Sequence, residues 1–445
     1  MPDLSLHAKM ICLNDDALRQ IFQNELPADL AEALASLPEQ EQVRVALVLP
    51  PASLALVLEE MEHADAALIL RQLPLMTAVM AVEEMSSDDA ADLLADLPSD
   101  FREQLLDQLP EPTQLRQLLS YDESSSGGIM ATEFLAVRPS WSSDQALAFV
   151  RREAREADTA YYVYVTDRAK RLQGVLSLRE LVLAPPDSPI SQIMHEEPIV
   201  VSPEDDQEKV AALFRHYHFL ALPVVNDAGI LQGVITSDDI LEVVDEEATE
   251  DIHRMAALSP SEEPYLQSST LRLASQRLTW LLVLMISATF TGQIIRQFET
   301  TLSQVVALAV FIPMLMDTGG NAGSQSATLV IRGLALGEIR LKDWIRVMGQ
   351  ELRVSALVGV GLALVNFGRI LLIERYPVEI AAVVSATLLI TVIIAKLTGG
   401  LLPLIAKFLR ADPAIMAGPL ITTIVDALAL LTYFSLASAL LAGVS

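Results

Sequence analysis

Phe311-Ile-Pro-Met-Leu-Met-Asp-Thr-Gly-Gly-Asn-Ala-Gly-Ser-Gln-Ser-Ala-Thr-Leu-Val-Ile-Arg332 is the stretch on which the reading of this chain turns. Apolar residues lead into it from Val305 and resume at Leu329, yet between them lie Pro313, Asp317, Gly319, Gly320, Asn321, Gly323 and Gln325. A carboxylate at the bilayer centre costs about 2.5 to 3.5 kcal/mol, so such a residue faces a bundle interior or a wet cavity. Glycines let backbones approach closely or let a helix unwind, and irregular backbone at membrane depth survives only where it lines a cavity. These seven residues therefore read as the lining of a pore or substrate site. A polar seam between helices, in which small residues serve packing alone, explains the same composition.

Outward from this stretch, five apolar segments approach the roughly 20 residues that a bilayer core demands, near 278–295, 302–331, 354–373, 380–406 and 415–441. Arg332, Arg340, Lys342, Arg346 and Arg353 fall between the second and third, and Lys407 and Arg410 between the fourth and fifth. The positive-inside rule makes those loops cytosolic, which puts the amino terminus in the cytosol and the carboxyl terminus outside. Lys396 interrupts the fourth segment, and its simplest partner is Asp317 in a buried ion pair. Asp426 sits mid-way along the fifth, with Thr422 and Thr423 one turn before it. An intramembrane carboxylate with no evident partner is a cation-site candidate, and hard oxygen ligands with room for retained water suit Mg²⁺.

Charge divides the chain in the same place. Residues 1–270 carry a net charge of −32 and residues 271–445 one of +4. An acidic soluble half attracts cations and repels nucleic acid and anionic lipid. The single Cys12 excludes a disulfide framework, and the opening residues have no signal-peptide core.

From residue 26 to 119 the sequence repeats with a twelve-residue step: Leu-Pro recurs at Leu37, Leu49, Leu73, Leu97 and Leu109, with Met61 and Met85 on the missing beats. Each proline punctuates a short helix, so a stack of short helices is expected. Asp88, Asp89, Asp92 and Asp96 fall on neighbouring turns there, a carboxylate face that solvent alone also accommodates. Residues 121–128, rich in Asp, Ser and Gly, read as a linker.

Then a longer repeat begins. Leu-Gln-Gly-Val-Leu-Ser-Leu-Arg-Glu-Leu from Leu172 returns 59 residues later as Leu-Gln-Gly-Val-Ile-Thr-Ser-Asp-Asp-Ile from Leu231. This resembles a tandem pair of CBS domains, with Gly174, Ser177 and Glu180 matching Gly233, Thr236 and Asp239. The resemblance implies a cleft for an adenine nucleotide, for which Tyr162, Arg179, Glu180 and Phe219 are the candidates. A CBS pair that folds and dimerises without nucleotide fits as well. His216 and His218 point apart on a helix, which argues against zinc. Next, residues 241–258 hold Asp245, Glu246, Glu247, Glu250 and Asp251 beside few bases, a connecting helix that calls for counter-ions.

Three motifs in order, Glu-Ala-Thr-Glu-Asp-Ile at 247–252, Pro-x-x-x-Asp-Thr-Gly-Gly-Asn-Ala-Gly-Ser-Gln-Ser-Ala-Thr at 313–328 and Gly-Pro-Leu-Ile-Thr-Thr-Ile-Val-Asp at 418–426, resemble the MgtE magnesium-channel family over the whole chain. The resemblance implies a multidomain membrane protein: an all-α helical-repeat domain (1–125), α/β tandem CBS domains (126–187 and 188–245), an acidic connecting helix (246–275) and an α-helical five-span pore domain (276–445). It implies a homodimer in the plasma (inner) membrane whose pore, lined by the second and fifth spans, lies between subunits, with no enzymatic activity. By motif, the pore carboxylate maps onto Asp426. Regulatory Mg²⁺ sites map onto Asp88 and Asp92, onto Glu208, Asp239 and Glu242, and onto Glu247, Glu250 and Asp251. ATP is implied as a regulatory ligand. His218 and Glu180 depart from the family's usual acidic residue and Asp.

The implied mechanism is electrostatic. Clustered carboxylates repel when cytosolic Mg²⁺ is scarce and are bridged when it is plentiful, which favours the closed state. An inside-negative potential supplies about 2.3 kcal/mol per charge per 100 mV, so influx needs no ATP hydrolysis. Two rivals remain: a cation-coupled secondary carrier of divalent metals using Asp317, Asp426 and Lys396, and a membrane-anchored CBS module serving other proteins. An anchor has no need of the polar second span.

Overall fold

A computed structural model describes residues 6, 10–11, 15–22, 24–154, 157, 159–260, 265 and 268–441; Cys12 and the opening residues 1–5 lie outside them. Two compact units emerge, Met1–Val244 and Asp245–Ser445.

The first unit carries a run of short helices: α1 (Asp15–Phe22), α2 (Pro27–Ala35), α3 (Glu39–Val48), α4 (Pro51–Glu59), α5 (His63–Gln72), α6 (Leu75–Glu83), α7 (Ser87–Ala95), α8 (Ser99–Leu106) and α9 (Pro112–Leu118). Pro38, Pro50, Pro74 and Pro98 stand at helix N-caps, and Pro27, Pro51 and Pro112 in first turns, where a missing N–H costs nothing. All seven beats of the twelve-residue step, Leu37, Leu49, Met61, Leu73, Met85, Leu97 and Leu109, are buried. Each helix packs on the helix two ahead of it, from α1 on α3 through to α7 on α9, so odd and even helices form two layers over one core.

The 59-residue duplication is equally plain in the sheets. Strand β1 (Ala136–Val137) runs parallel to β2 (Tyr162–Thr166), which pairs antiparallel with β3 (Leu172–Ser177), and β3 pairs with β4 (His195–Glu196). In the second copy Val201 bridges in parallel to β5 (Ala221–Val225), β5 pairs antiparallel with β6 (Leu231–Thr236), and Val234 of β6 bridges to Ala131. Even the irregularities repeat, at Val165/Thr166 and Val224/Val225. A Cβ on Gly174 would lie 2.8 Å from the His195 carbonyl oxygen, and one on Gly233 2.7 Å from that of Ala131, so both strands need glycine where the neighbour crosses. Helices α10 (Ser143–Glu153), α11 (Leu178–Leu183), α12 (Ile190–Ile193) and α13 (Gln207–Tyr217) cover the sheets.

Residues 121–128 are no loose linker. Ser125 and Ser126 are buried, and the amides of Ser126 and Gly127 donate to the carbonyls of Asp205 and Pro203 at 2.7 and 2.9 Å. The small residues that suggested a linker permit close packing, since a Cβ on Gly127 would meet the Tyr121 ring at 2.6 Å. Helix α14 (Ser237–Met255) then runs unbroken from the second CBS-like copy through the acidic run.

Among the described residues of the second unit, five helical segments are long and apolar enough to cross a membrane: Thr270–Gln297, Val306–Ala335, Leu341–Glu374, Val378–Phe408 and Pro413–Leu440. The fourth is central, packing on the second, third and fifth, and the first packs on the fifth. The second opens with a 3-10 turn, Val306–Phe311, pinned where the Tyr433 hydroxyl donates to the Leu308 carbonyl at 3.0 Å. It continues as a single helix, Ile312–Ala335, so its glycines do not unwind it. The third begins well before the expected residue 354, because the arginine-bearing stretch from Trp344 is helical too.

Candidate functional site

The second span sorts its polar residues by face. Pro313, Asp317, Asn321 and Gln325, spaced four apart, are exposed along one stripe, with Thr328 continuing it. Gly319, Gly320 and Gly323 are buried on the other face. A Cβ on Gly319 would meet Thr391 and Val425 at 2.9 Å, on Gly320 Thr422 at 2.9 Å, and on Gly323 Ile421 at 2.7 Å. A Cβ on Gly399 would run into the Gly323 carbonyl oxygen. The three glycines thus serve the seam with the fourth and fifth spans rather than the stripe, so the two readings of residues 311–332 hold for opposite faces of one helix.

Asp426 on the fifth span is half-buried and lies within electrostatic reach of Asp317. Thr422 and Thr423, also half-buried, turn their hydroxyls back to the Pro419 carbonyl at 2.9 Å. Among the described residues neither carboxylate pairs with a cation. The expected Lys396–Asp317 bridge does not form: Lys396 Nζ lies 3.5 Å from Gln325 Oε1 and 3.5 Å from Ser326 Oγ, two turns along the second span from Asp317. Ser326 Oγ in turn donates to Glu351 Oε2 at 2.5 Å, and Glu351 is buried.

The acidic residues gather in two places. In the first unit, the Ser86 amide donates to Glu59 Oε1 at 2.8 Å and its hydroxyl to Asp89 Oδ2 at 2.6 Å. Burial raises the pKa of Glu59, Asp89 and Asp239 above the ordinary carboxylate range, and like charges among Glu60, Asp89, Asp238 and Glu242 push the same way. Of the expected residues, Asp239 and Glu242 therefore meet the helix carrying Asp88 and Asp92, Asp88 being buried and Asp92 half-buried. Glu208 stands exposed in the first turn of α13.

In the second unit Arg254 pairs with both Glu250 and Asp412. Burial raises Glu250 and Asp251 despite Arg254, with Glu247 and Asp412 adding like charge. Among the described residues no three His, Cys, Asp or Glu side chains converge tightly enough to hold a metal outright. Mg²⁺ asks for less, since it keeps several waters and binds through one or two carboxylates.

The CBS-like turns are locked from within. Glu180 Oε2 accepts from the Ser177 amide and hydroxyl, both at 2.8 Å, and its Oε1 meets His195 Nε2 at 2.7 Å. Asp239 Oδ2 likewise accepts from the Thr236 amide at 3.0 Å and hydroxyl at 2.6 Å. The repeated Ser/Thr-x-x-Asp/Glu is a helix-capping device in both copies. Tyr162 is half-buried and Arg179 exposed, while Phe219 stacks on Tyr217 with ring centroids 5.2 Å apart.

Glu59, Glu351, Arg254 and Asp412 were not anticipated as participants. Asp412 lay in a loop read only for its basic residues, and Glu351 just outside the expected third span.

Comparison with known proteins decides the family. The magnesium transporter MgtE of Thermus thermophilus is 40% identical over 344 residues, 77% of this chain and 76% of that protein. The chain belongs to the MgtE family of magnesium transporters. The MgtE of Bacillus subtilis is 36% identical over 74% of this chain and 72% of its own length. A divalent cation transporter family model (MgtE) matches residues 312–436, the MgtE intracellular N domain matches 26–124, and a CBS domain matches 190–246. The solved cytosolic domain of the Mg²⁺ channel MgtE in complex with ATP, 37% identical, superposes with a TM-score of 0.51 over 54% of this chain and 98% of that one. The stripe of the second span and Asp426 thus both fall inside the region matched by the MgtE transporter model.

Proposed function

We propose that this MgtE family member is a homodimeric Mg²⁺ channel of the plasma (inner) membrane, closed by Mg²⁺ on its cytosolic face. The observation that carries the reading is the exposed stripe Pro313, Asp317, Asn321 and Gln325, with Asp426 in reach. Against lipid such a face is costly; against a second copy of itself it lines a wet path. Asp426 supplies the principal ion site. Hydrated Mg²⁺ needs further oxygen atoms, such as those of Asn321 and Thr422, but no further carboxylate.

The regulatory sites in this reading are Asp88, Asp92, Glu208, Asp239 and Glu242, and Glu247, Glu250 and Asp251 beside Asp412. Their support is the crowding at Asp239, Glu250 and Asp251, which burial and like charge raise and which gain most when a divalent cation arrives. Residues 1–125, 126–187, 188–245, 246–275 and 276–445 form the corresponding sensor, CBS, connecting and pore segments, with a cytosolic amino terminus and an external carboxyl terminus. An adenine nucleotide at Tyr162, Arg179 and Phe219 tunes the response; Glu180 takes part after releasing His195.

The test is Mg²⁺ influx into proteoliposomes at low and high Mg²⁺ on the cytosolic face. Asp426→Ala reduces influx by more than about a hundredfold, as the loss of one close charge in a site of low dielectric implies. Neutralising Glu247, Glu250 and Asp251 together leaves influx running at high cytosolic Mg²⁺. Wild-type influx that demands a proton or sodium gradient selects the coupled carrier instead.

A further inference from the structure

Lys396 stands in the most buried of the five spans, 5% exposed. Its ammonium reaches two neighbouring residues that belong to opposite faces of the second span: Gln325 on the exposed stripe and Ser326 on the buried seam. Ser326 Oγ donates to Glu351 of the third span. Three spans therefore share one bridge of opposite charges through a hydroxyl. Among the described residues Lys396 and Glu351 do not touch directly, so the ammonium is not cancelled at contact and its field extends toward Gln325. A carboxamide whose oxygen faces that ammonium does not offer the same oxygen to a passing cation. Eight residues separate Gln325 from Asp317, about 12 Å along the helix.

We propose that Lys396 is a positioning residue for the conduction stripe: it holds Gln325 by its oxygen and sets a fixed positive charge two turns from Asp317. Glu351, through Ser326, offsets part of that charge. The ammonium thus limits how tightly a divalent cation is held at the Gln325 end, so that ions leave the site they enter. The proposal rests on the Mg²⁺-transport reading above.

The experiment measures initial Mg²⁺ influx against Mg²⁺ concentration for the full-length protein in proteoliposomes. Wild type comes first: without wild-type influx the transport reading itself fails. Given influx, Lys396→Gln lowers the half-saturating concentration about fivefold, whereas Glu351→Gln raises it by about the same factor, the sign following the charge removed. The double variant returns toward wild type, and Lys396→Arg recovers the wild-type value. A purely structural bridge moves both single variants the same way, toward lower yield and thermal midpoint. Shifts of equal sign, or no shift in either, overturn the proposal. Should Lys396→Gln not assemble, Glu351→Gln decides alone: a higher half-saturating concentration supports the proposal, an unchanged or lower one overturns it.

Discussion

The two units treat charge in opposite ways. In the first, carboxylates outnumber bases and crowd one another, as Glu59, Asp89 and Asp239 do, with burial and like charge both disfavouring ionisation. Within the spans of the second, buried or half-buried ionisable groups are held by specific partners, Lys396 and Glu351 through Ser326 and Arg369 with Glu374 at 2.7 Å, whereas Glu247, Glu250, Asp251 and Asp412 outside the spans crowd around Arg254. Asp317 and Asp426 stand outside that pattern. A surplus of negative charge suits a sensor that must respond to a divalent cation, whereas strict pairing leaves the few remaining carboxylates to act on the ion alone.

The sharpest way to break this contrast is through packing, because the paired groups depend on the glycine seam. Gly399→Ala sets a methyl against the Gly323 carbonyl, which neither helix can yield without moving, so it costs about 3 kcal/mol or more. Gly361→Ala, with nothing within 4 Å of the added methyl, stays within about 1 kcal/mol of wild type. Yield and thermal midpoint in detergent compare the two, and equal behaviour refutes the seam.

A smaller effect lies in the first unit. Ser177→Ala removes the hydroxyl that caps α11 and costs about 1 kcal/mol, read as a fall in the thermal midpoint. An unchanged midpoint would mean that Glu180 and His195 hold the turn unaided.

The least effect, spread over several groups, is a pH dependence. The folded unit binds protons at Glu59, Asp89 and Asp239 more tightly than the unfolded chain does, because their pKa values are raised. Stability contributed by these groups is thus lost as pH rises through the raised values and recovered as it falls toward about 4. With Mg²⁺ chelated, the thermal midpoint of the wild type is expected to gain on that of Asp89→Asn as pH falls toward about 4. A difference between the two that does not change with pH contradicts the crowded-carboxylate description.

Periodicity carried most of the fold. A twelve-residue beat, a 59-residue duplication and five apolar segments each follow from local spacing, and each appears in the structure as helices, paired sheets and spans. The site was harder to read because its meaning is non-local. Nothing in residues 311–332 says which polar residue takes which face until the fourth and fifth spans are packed beside it, and glycine suits both unwinding and close approach. Lys396 was matched to Asp317 as the nearest opposite charge by composition, while its true neighbours depend on helix register. Arg254 and Asp412, 158 residues apart, meet only through tertiary folding.

The two-layer helical stack imposes a rule of parity on how this chain can change length. Since each helix rests on the one two places along, a single extra twelve-residue unit would send every later helix to the opposite layer and strand whatever it presents, the Asp89 end of α7 included. Growth in pairs, about 24 residues at a time, keeps each side in place, so natural or engineered length variants should differ by even numbers of helices.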